Sequence, residues 1–391
     1  MTNIIFLGLV SFFTDVSTEM VYPLIPLYLS AAFGASPALV GVIEGIAESV
    51  ASLLKVFSGY VTDKIQKKKA LAAIGYATGV LYKLALLFAG SWTGILGARV
   101  LDRLGKGIRT APRDVLVSES ADKGGMGKAF GIHKALDMAG AALGILITWF
   151  LLRGEGSESA YKRLFLLSTI PGVLGLCMFF FVKEKKETRL VKQREPFWKN
   201  LKQVDSQLKL YLLVVFLFTL GNSSNTFLLL RAKSLGLDDR DVILLHFVYN
   251  ITASLLSVPL GKLSDKIGRK KLLVSGHLLF SAVYLGFALA SAPLVLAALF
   301  LLYGAHTAMI TGVERAYVAE IAPPELKGTL LGLQSTVAGV ALLPASMLAG
   351  ALWDTFGAAA PFLFGAGLSF AAAGILLFFM KSHSTAAAGH P

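Results

Sequence analysis

The chain has 391 residues, of which 55% are hydrophobic and only 16% charged, and its mean hydropathy is +0.68. Soluble domains usually carry about 25% charged residues, so the composition excludes an ordinary soluble protein and points to an integral membrane protein whose outer surface is solvated by lipid. The formal net charge of +13 then reads as a bias of the loops and not as a nucleic-acid-binding patch.

A membrane-crossing helix needs about 20 mostly apolar residues. The first such segment, near 3–30, lacks the basic start and cleavage site of a signal peptide and carries Asp15 and Glu19, so it is expected to be retained as span 1. On it Ser11, Asp15, Thr18, Glu19 and Tyr22 share a helical face, and Pro23 and Pro26 predict a bend near the outer half. Span 2, near 38–61, carries a stripe of Glu44, Glu48, Lys55, Ser58 and Thr62. Span 3, near 70–90, holds Lys83.

Span 4, near 93–120, is the most charged. At 100° per residue Arg99, Asp102, Arg103, Lys106, Arg109, Arg113 and Asp114 fall within roughly 140° of arc. Charges inside a bilayer face a partner or a water-filled cavity, so this face is expected to turn away from lipid. The stretch RLGKGIRTAPRD has the glycines and lysine of a phosphate loop. Such a loop needs G-x-x-x-x-G-K-S/T between a strand and a helix, and that pattern is absent.

Span 5, near 126–152, places Lys134 and Asp137 one turn apart, with His133 as another candidate partner for Asp137. Span 6, near 162–182, contains the single cysteine, Cys177, which excludes an intrachain disulfide. A polar, basic stretch follows at 183–209. Spans 7 to 12 lie near 210–233, 239–262, 271–291, 294–321, 327–352 and 358–380, and the tail 381–391 reads as disordered. Span 7 offers Thr219, Asn222, Asn225 and Thr226; span 10 offers Tyr303, His306, Thr307, Glu314 and Tyr317. Neutral donors and acceptors of this kind suit substrate recognition. No zinc-type cluster and no nucleophile–histidine–carboxylate motif stands out, so neither an enzyme nor a bound cofactor is expected.

Lys and Arg mark the cytoplasmic side. DKIQKKK (63–69), DKIGRKK (265–271) and the 183–209 loop all fall on one side of a twelve-span count, whereas GASPA, GSW and SAP on the other side carry no charge. Both termini are therefore expected in the cytoplasm, with the protein a monomer in the cytoplasmic (inner) membrane.

GYVTDKIQKKK (59–69) and GKLSDKIGRKK (261–271) share the frame G-x-x-x-D-K-I-x-K/R-K-K about 200 residues apart, and GKAFGI (127–132) pairs with GTLLGL (328–333) near the same offset. Two repeats of six spans are a transporter plan. At these residues the chain resembles the major facilitator superfamily, over roughly 3–380. The second copy matches the family's loop motif closely; the first departs at Gln66, where the family has Gly. RLGKGIRTA also resembles the family's span-4 motif, with Lys106 in place of a neutral polar residue and Arg109 in place of a glycine. Gly131, Gly140 and Gly144 match the start of the glycine-rich antiporter motif, without its proline.

The resemblance implies an all-α membrane fold: a six-helix bundle at 1–182, a linker at 183–209 and a second six-helix bundle at 210–380, related by pseudo-twofold symmetry. It implies a central cavity lined by spans 1, 4, 7 and 10, and so by Asp15, Glu19, Tyr22, Arg99, Arg103, Asn222, Asn225, Tyr303, His306 and Thr307. Proton coupling is expected from Asp15, Glu19, Glu44, Glu48 and Arg103. A carboxylate meeting an arginine changes protonation when substrate displaces that arginine. A cytoplasmic gate is expected from Gly59, Asp63, Lys64, Arg113, Asp114, Gly261, Asp265, Lys266, Arg269, Glu314 and Arg315. Here Arg113–Asp114 and Glu314–Arg315 are read as ion pairs, and the glycines as close-approach positions.

The expected function is secondary active transport of a small organic solute, with proton-coupled export by antiport in first place. Proton-coupled uptake or facilitated passage of an organic anion is the alternative. A transport-dead membrane sensor stands behind both.

Overall fold

The computed structural model describes residues 2–65, 67–120, 126–152, 156–184, 206–321 and 327–380, without the side chains of 55–57, 59–65, 126–128, 131, 319, 327–329, 331 and 332. Within them the chain is helical: α1 (Thr2–Glu19), α2 (Leu24–Phe33), α3 (Pro37–Ile65), α4 (Lys68–Phe88), α5 (Trp92–Ser120), α6 (Met126–Leu151), α7 (Glu158–Phe180), α8 (Ser206–Gly221), α9 (Thr226–Ser234), α10 (Asp239–Ile267), α11 (Arg269–Leu289), α12 (Pro293–Ile310), α13 (Val313–Ile321), α14 (Lys327–Phe356) and α15 (Ala360–Phe379). Eleven stretches among the described residues are long and apolar enough to cross a membrane. α5 has the length of α3 but is set apart by its charges. Phe88, Phe150, Phe180, Phe356 and Phe378 are all exposed, as side chains solvated by lipid are.

The repeat is visible in the elements themselves. α3 and α10 have 29 residues each, and α4 and α11 have 21 each. α5 runs from 92 to 120, and α12 with α13 runs from 293 to 321, an offset of 201.

Three spans expected as single helices are broken. Span 1 parts between Glu19 and Leu24, as Pro23 requires: it has no N–H for the ladder. The Met20 carbonyl released there accepts from Thr148 Oγ1 at 3.0 Å. Span 7 parts at residues 222–225, in the sequence GNSSN, because Asn and Ser offer the backbone local alternatives to the helix. Span 10 parts at Thr311–Gly312, where the Thr311 hydroxyl bonds back to the Thr307 carbonyl at 2.8 Å.

The chain divides into two compact units, Met1–Gln193 with Thr226–Phe247, and Arg194–Asn225 with Val248–Pro391. In the first, α1 packs on α6 and α7, and α5 packs on α3 and α4. In the second, α11 packs on α15 and α12, and α8 packs on α14 and α15.

Candidate functional site: the charged face of span 4 and its partners

Two features hold α5 in place. Gly75 and Gly105 let α4 and α5 meet backbone to backbone: a Cβ on Gly75 would lie 2.6 Å from the Gly105 carbonyl oxygen. Pro112 lies inside α5 and leaves the carbonyl four residues back without its N–H. That carbonyl, Ile108 O, accepts from the Ser58 hydroxyl of α3 at 2.9 Å. The helix therefore continues uninterrupted through the proline.

The outer part of that face is an ion-pair lattice. Arg99 meets Glu44 side-on, Nε to Oε1 at 3.0 Å and Nη2 to Oε2 at 2.6 Å. Arg103 meets Glu48 at 2.5 Å. Asp102 Oδ2 lies between the two arginines, 3.7 Å from Arg99 and 3.5 Å from Arg103. Both guanidinium groups also sit over the ring of Tyr22, at 5.5 and 5.9 Å from its centroid. Lys83 is buried beside them, donating to Gly79 O at 2.8 Å, with Asp102 as a neighbouring charge.

The inner part is built differently. Asp15 of α1 lies beside Asp137 of α6, with Arg109 and Lys106 as neighbouring charges. Asp137 also accepts from Ser11 at 2.7 Å and from Lys134 at 2.6 Å. His133, expected as a possible partner of Asp137, is not one: its Nε2 is buried without a hydrogen bond. Arg109 is buried with its guanidinium 4.7 Å from the Tyr76 ring centroid. The α1–α6 packing that brings the two carboxyls together rests on Gly140 and Gly144, where a Cβ would collide with the Phe12 and Val16 carbonyl oxygens. The surroundings of Gly131 lie outside the described residues.

Glu19 has its own partner. Its Oε2 lies 3.3 Å from Nε2 of His246, whose ring centroid is 5.8 Å from that of Tyr22. Below the same end of the chain, Asp239 at the start of α10 accepts from the Tyr161 hydroxyl and from Gly156 N at 2.8 Å, and pairs with Lys233 at 3.0 Å. Arg240 stacks on Trp149 at 4.2 Å. None of these contacts was drawn from the sequence. Single polar residues in apolar segments gave no spacing to read, and, the Lys233–Asp239 pair aside, their partners are 78 or more positions away.

In the second unit the broken span 7 gathers the expected Asn222, Asn225 and Tyr303. The Tyr303 hydroxyl donates to Asn225 Oδ1 at 2.8 Å and approaches Asn222 Oδ1 at 3.3 Å. Tyr284 and Tyr249, both missed in the sequence, complete the group with contacts to Asn222 and Asn225 at 3.4 and 3.3 Å. Thr307 bonds back to Tyr303 O at 3.0 Å. His306 is 2% exposed, packed among Phe218, Phe280 and Tyr303, with Nδ1 2.9 Å from Gly276 O of α11, so it joins α12 to α11.

Of the gate residues, the side chains of Asp63 and Lys64 and the surroundings of Gly59 lie outside the described residues. Arg113 and Asp114 pair at 2.8 Å as expected. Glu314 and Arg315 do not: Glu314 takes a 3.4 Å contact from Gln334 of α14, and Arg315 is exposed. Gly261 is no close-approach position, since a Cβ there would meet open space. Arg269 pairs with Asp265 at 3.3 Å and with Glu320 at 2.9 Å, while Lys266 is exposed.

The first half uses Lys68 against Glu119 for the same purpose. It is therefore Lys68, and not the Lys67 of the aligned frame, that stands where Arg269 does. One residue, Gly268 at φ 95°, separates α10 from α11, whereas two, Gln66 and Lys67, separate α3 from α4. Lys69 and Lys270 then bond to the last carbonyls of α7 and α15, Phe180 O at 3.1 Å and Met380 O at 2.5 Å, as cations do at helix C-termini.

The family model of the Major Facilitator Superfamily matches residues 7–230 and 210–390. An uncharacterized MFS-type transporter, MJ1317 of Methanocaldococcus jannaschii, is 38% identical over 382 residues, covering 96% of this chain and 94% of that protein. The multidrug resistance protein MdtG of Escherichia coli O9:H4 (strain HS) is 25% identical, covering 94% and 91%. A crystal structure of a mutant of the nucleoside transporter NupG superposes with a TM-score of 0.85 at 12% identity, covering 97% of this chain and all of that one, a likeness of fold alone. With this match along its whole length, the chain belongs to the Major Facilitator Superfamily: it is a multi-pass membrane protein that transports small solutes, and not an enzyme.

Proposed function

We propose that the chain is a secondary active transporter of the cytoplasmic membrane that couples proton movement to the passage of a small organic solute by alternating access. The Asp15–Asp137 contact carries the proposal. Two adjacent carboxyl groups repel each other when both are ionised, which makes the pair a candidate proton-binding site whichever residue holds the proton. It lies where three helices bring further polar groups to bear: Lys106 and Arg109 from α5, Lys134 from α6, Lys83 and Tyr76 from α4. Glu19 with His246 is a second titratable pair. Glu44 and Arg99, by contrast, are sealed and mutually satisfied, which suits a fixed strut better than a proton carrier.

Export by antiport draws support from the MdtG relative, a multidrug resistance protein by name, and from the glycine contacts of α6 on α1. Co-transport of an anion with a proton draws support from the unpaired cations next to the carboxyl pair, and the geometry favours it. Both termini and the basic 183–209 segment are placed in the cytoplasm on the loop charges. The test is a solute screen on proteoliposomes with an imposed proton gradient. Solute-dependent dissipation that Asp15→Asn abolishes supports the proposal, and its polarity distinguishes export from uptake; transport that runs unchanged without a proton gradient refutes it.

A further inference from the structure

The charged face of α5 carries five cations, and they fall into two classes. Arg99, Arg103 and Arg113 each have a carboxylate at ion-pair distance. Lys106 and Arg109 have none among the described residues. Lys106 is exposed. Arg109 is only 8% exposed, and among the described residues its guanidinium meets the face of Tyr76. A guanidinium presents five N–H donors and no acceptor, and a buried charge without acceptors is costly. A tyrosine face offsets only a small part of that cost. Nor does the nearest carboxyl resolve it, since Asp15 is engaged with Asp137, which itself takes Ser11 and Lys134.

Lys106 and Arg109 lie three positions apart on one helix, so their heads are neighbours. A guanidinium fork beside an ammonium is the chemistry that recognises carboxylate and phosphate. We propose that Lys106 and Arg109 form the subsite that binds the oxyanion, a carboxylate or phosphate, of the transported solute.

This rests on the transporter assignment above and adds the substrate's chemical class. It also fixes the sign of coupling. A bound oxyanion and an ionised Asp15 compete for the same two cations, so anion binding draws a proton onto the Asp15–Asp137 pair, and the two cross together. The groups facing that pair are Lys106, Arg109 and Arg113 on α5, Lys134 and His133 on α6, Ser11 on α1, and Tyr76 and Lys83 on α4.

The test uses the full chain purified in dodecyl maltoside. Phenylglyoxal modification of Arg109 is mapped by mass spectrometry with benzoate, with benzamide as its uncharged match, with inorganic phosphate and with dihexanoyl phosphatidylglycerol. Benzoate or phosphate is expected to protect Arg109, and benzamide not. Arg109→Gln and Lys106→Gln are expected to weaken benzoate binding by about tenfold or more, with Arg109→Lys recovering part of it. Unchanged gel-filtration profiles show that the variants fold.

Benzoate binding in weak buffer is expected to take up protons in the native protein and not in Asp15→Asn. Protection by neither benzoate nor phosphate overturns the proposal, as does equal protection by benzamide. Protection by the phosphatidylglycerol alone assigns the pair to a lipid headgroup and overturns it as a solute site. Solute-driven proton flux in proteoliposomes without anion binding at Arg109 removes this subsite and leaves the proton-coupled transporter standing. Anion binding without proton flux does the reverse.

Discussion

Glu44 and Arg99 are 0% and 1% exposed, and their side-on contact satisfies both oxygens of the carboxylate. Taking Glu44 away leaves Arg99 with only the longer 3.7 Å contact to Asp102, and breaking a buried pair costs about 3–5 kcal/mol. Glu44→Gln is therefore expected to lower the unfolding midpoint in detergent sharply. The double replacement Glu44→Leu with Arg99→Met is expected to recover most of that loss, because apolar pairs of similar volume often serve as well. The pattern to look for is a double variant more stable than Glu44→Gln alone. Arg109 behaves in the opposite way. Among the described residues no carboxylate lies at ion-pair distance from it, so Arg109→Gln is expected to change stability by no more than about 1 kcal/mol while removing solute binding. Two arginines on one helix face thus differ in kind, and the difference lies in what the neighbouring helices bring to them.

At the scale of elements, α5 depends on contacts that repair its own sequence. Ser58 covers the carbonyl that Pro112 exposes, so Ser58→Ala is expected to cost about 1–3 kcal/mol, the penalty of a buried acceptor left unsatisfied, measured as a lower unfolding midpoint. Gly75 and Gly105 set the α4–α5 distance. Gly105→Val would push the helices apart and displace Lys106 and Arg109 together, so transport is expected to fall even in a fraction of protein that still folds.

The phasing of charges on α5 was legible because helical spacing alone places Arg99, Arg103, Lys106 and Arg109 on one face. Their surroundings were not, since Glu44, Glu48, Asp15 and Asp137 arrive from other helices and sequence does not say which cation each of them meets or leaves unmet. GNSSN at 221–225 carried a break signal that the surrounding apolar run obscured. The register of the α3–α4 turn was hidden for a subtler reason: three consecutive lysines align equally well with Arg269 in either frame, and only the extra turn residue decides that Lys68 takes its place.

For the whole molecule, the repeat and the twelve-span plan were readable from composition, loop charge and the two copies of the D-K-I motif, because each follows from the bilayer's demand for apolar length and basic cytoplasmic loops. The same loop charges predict that a fluorescent tag after Pro391 is cytoplasmic, so a quencher that cannot cross the membrane leaves a C-terminal fusion bright in intact cells. Histidines were the least legible. His306 serves α11–α12 packing, while His246, which gave no signal, faces Glu19.

The central claim is that Asp15 and Asp137 carry a proton whose movement is tied to solute. It is tested most directly by recording solute-triggered pH change inside proteoliposomes of the native chain and of Asp15→Asn. A solute-dependent pH change in the native protein that is absent in Asp15→Asn, with solute counterflow retained in both, is the predicted result. Equal solute-dependent pH changes in the two proteins would contradict it.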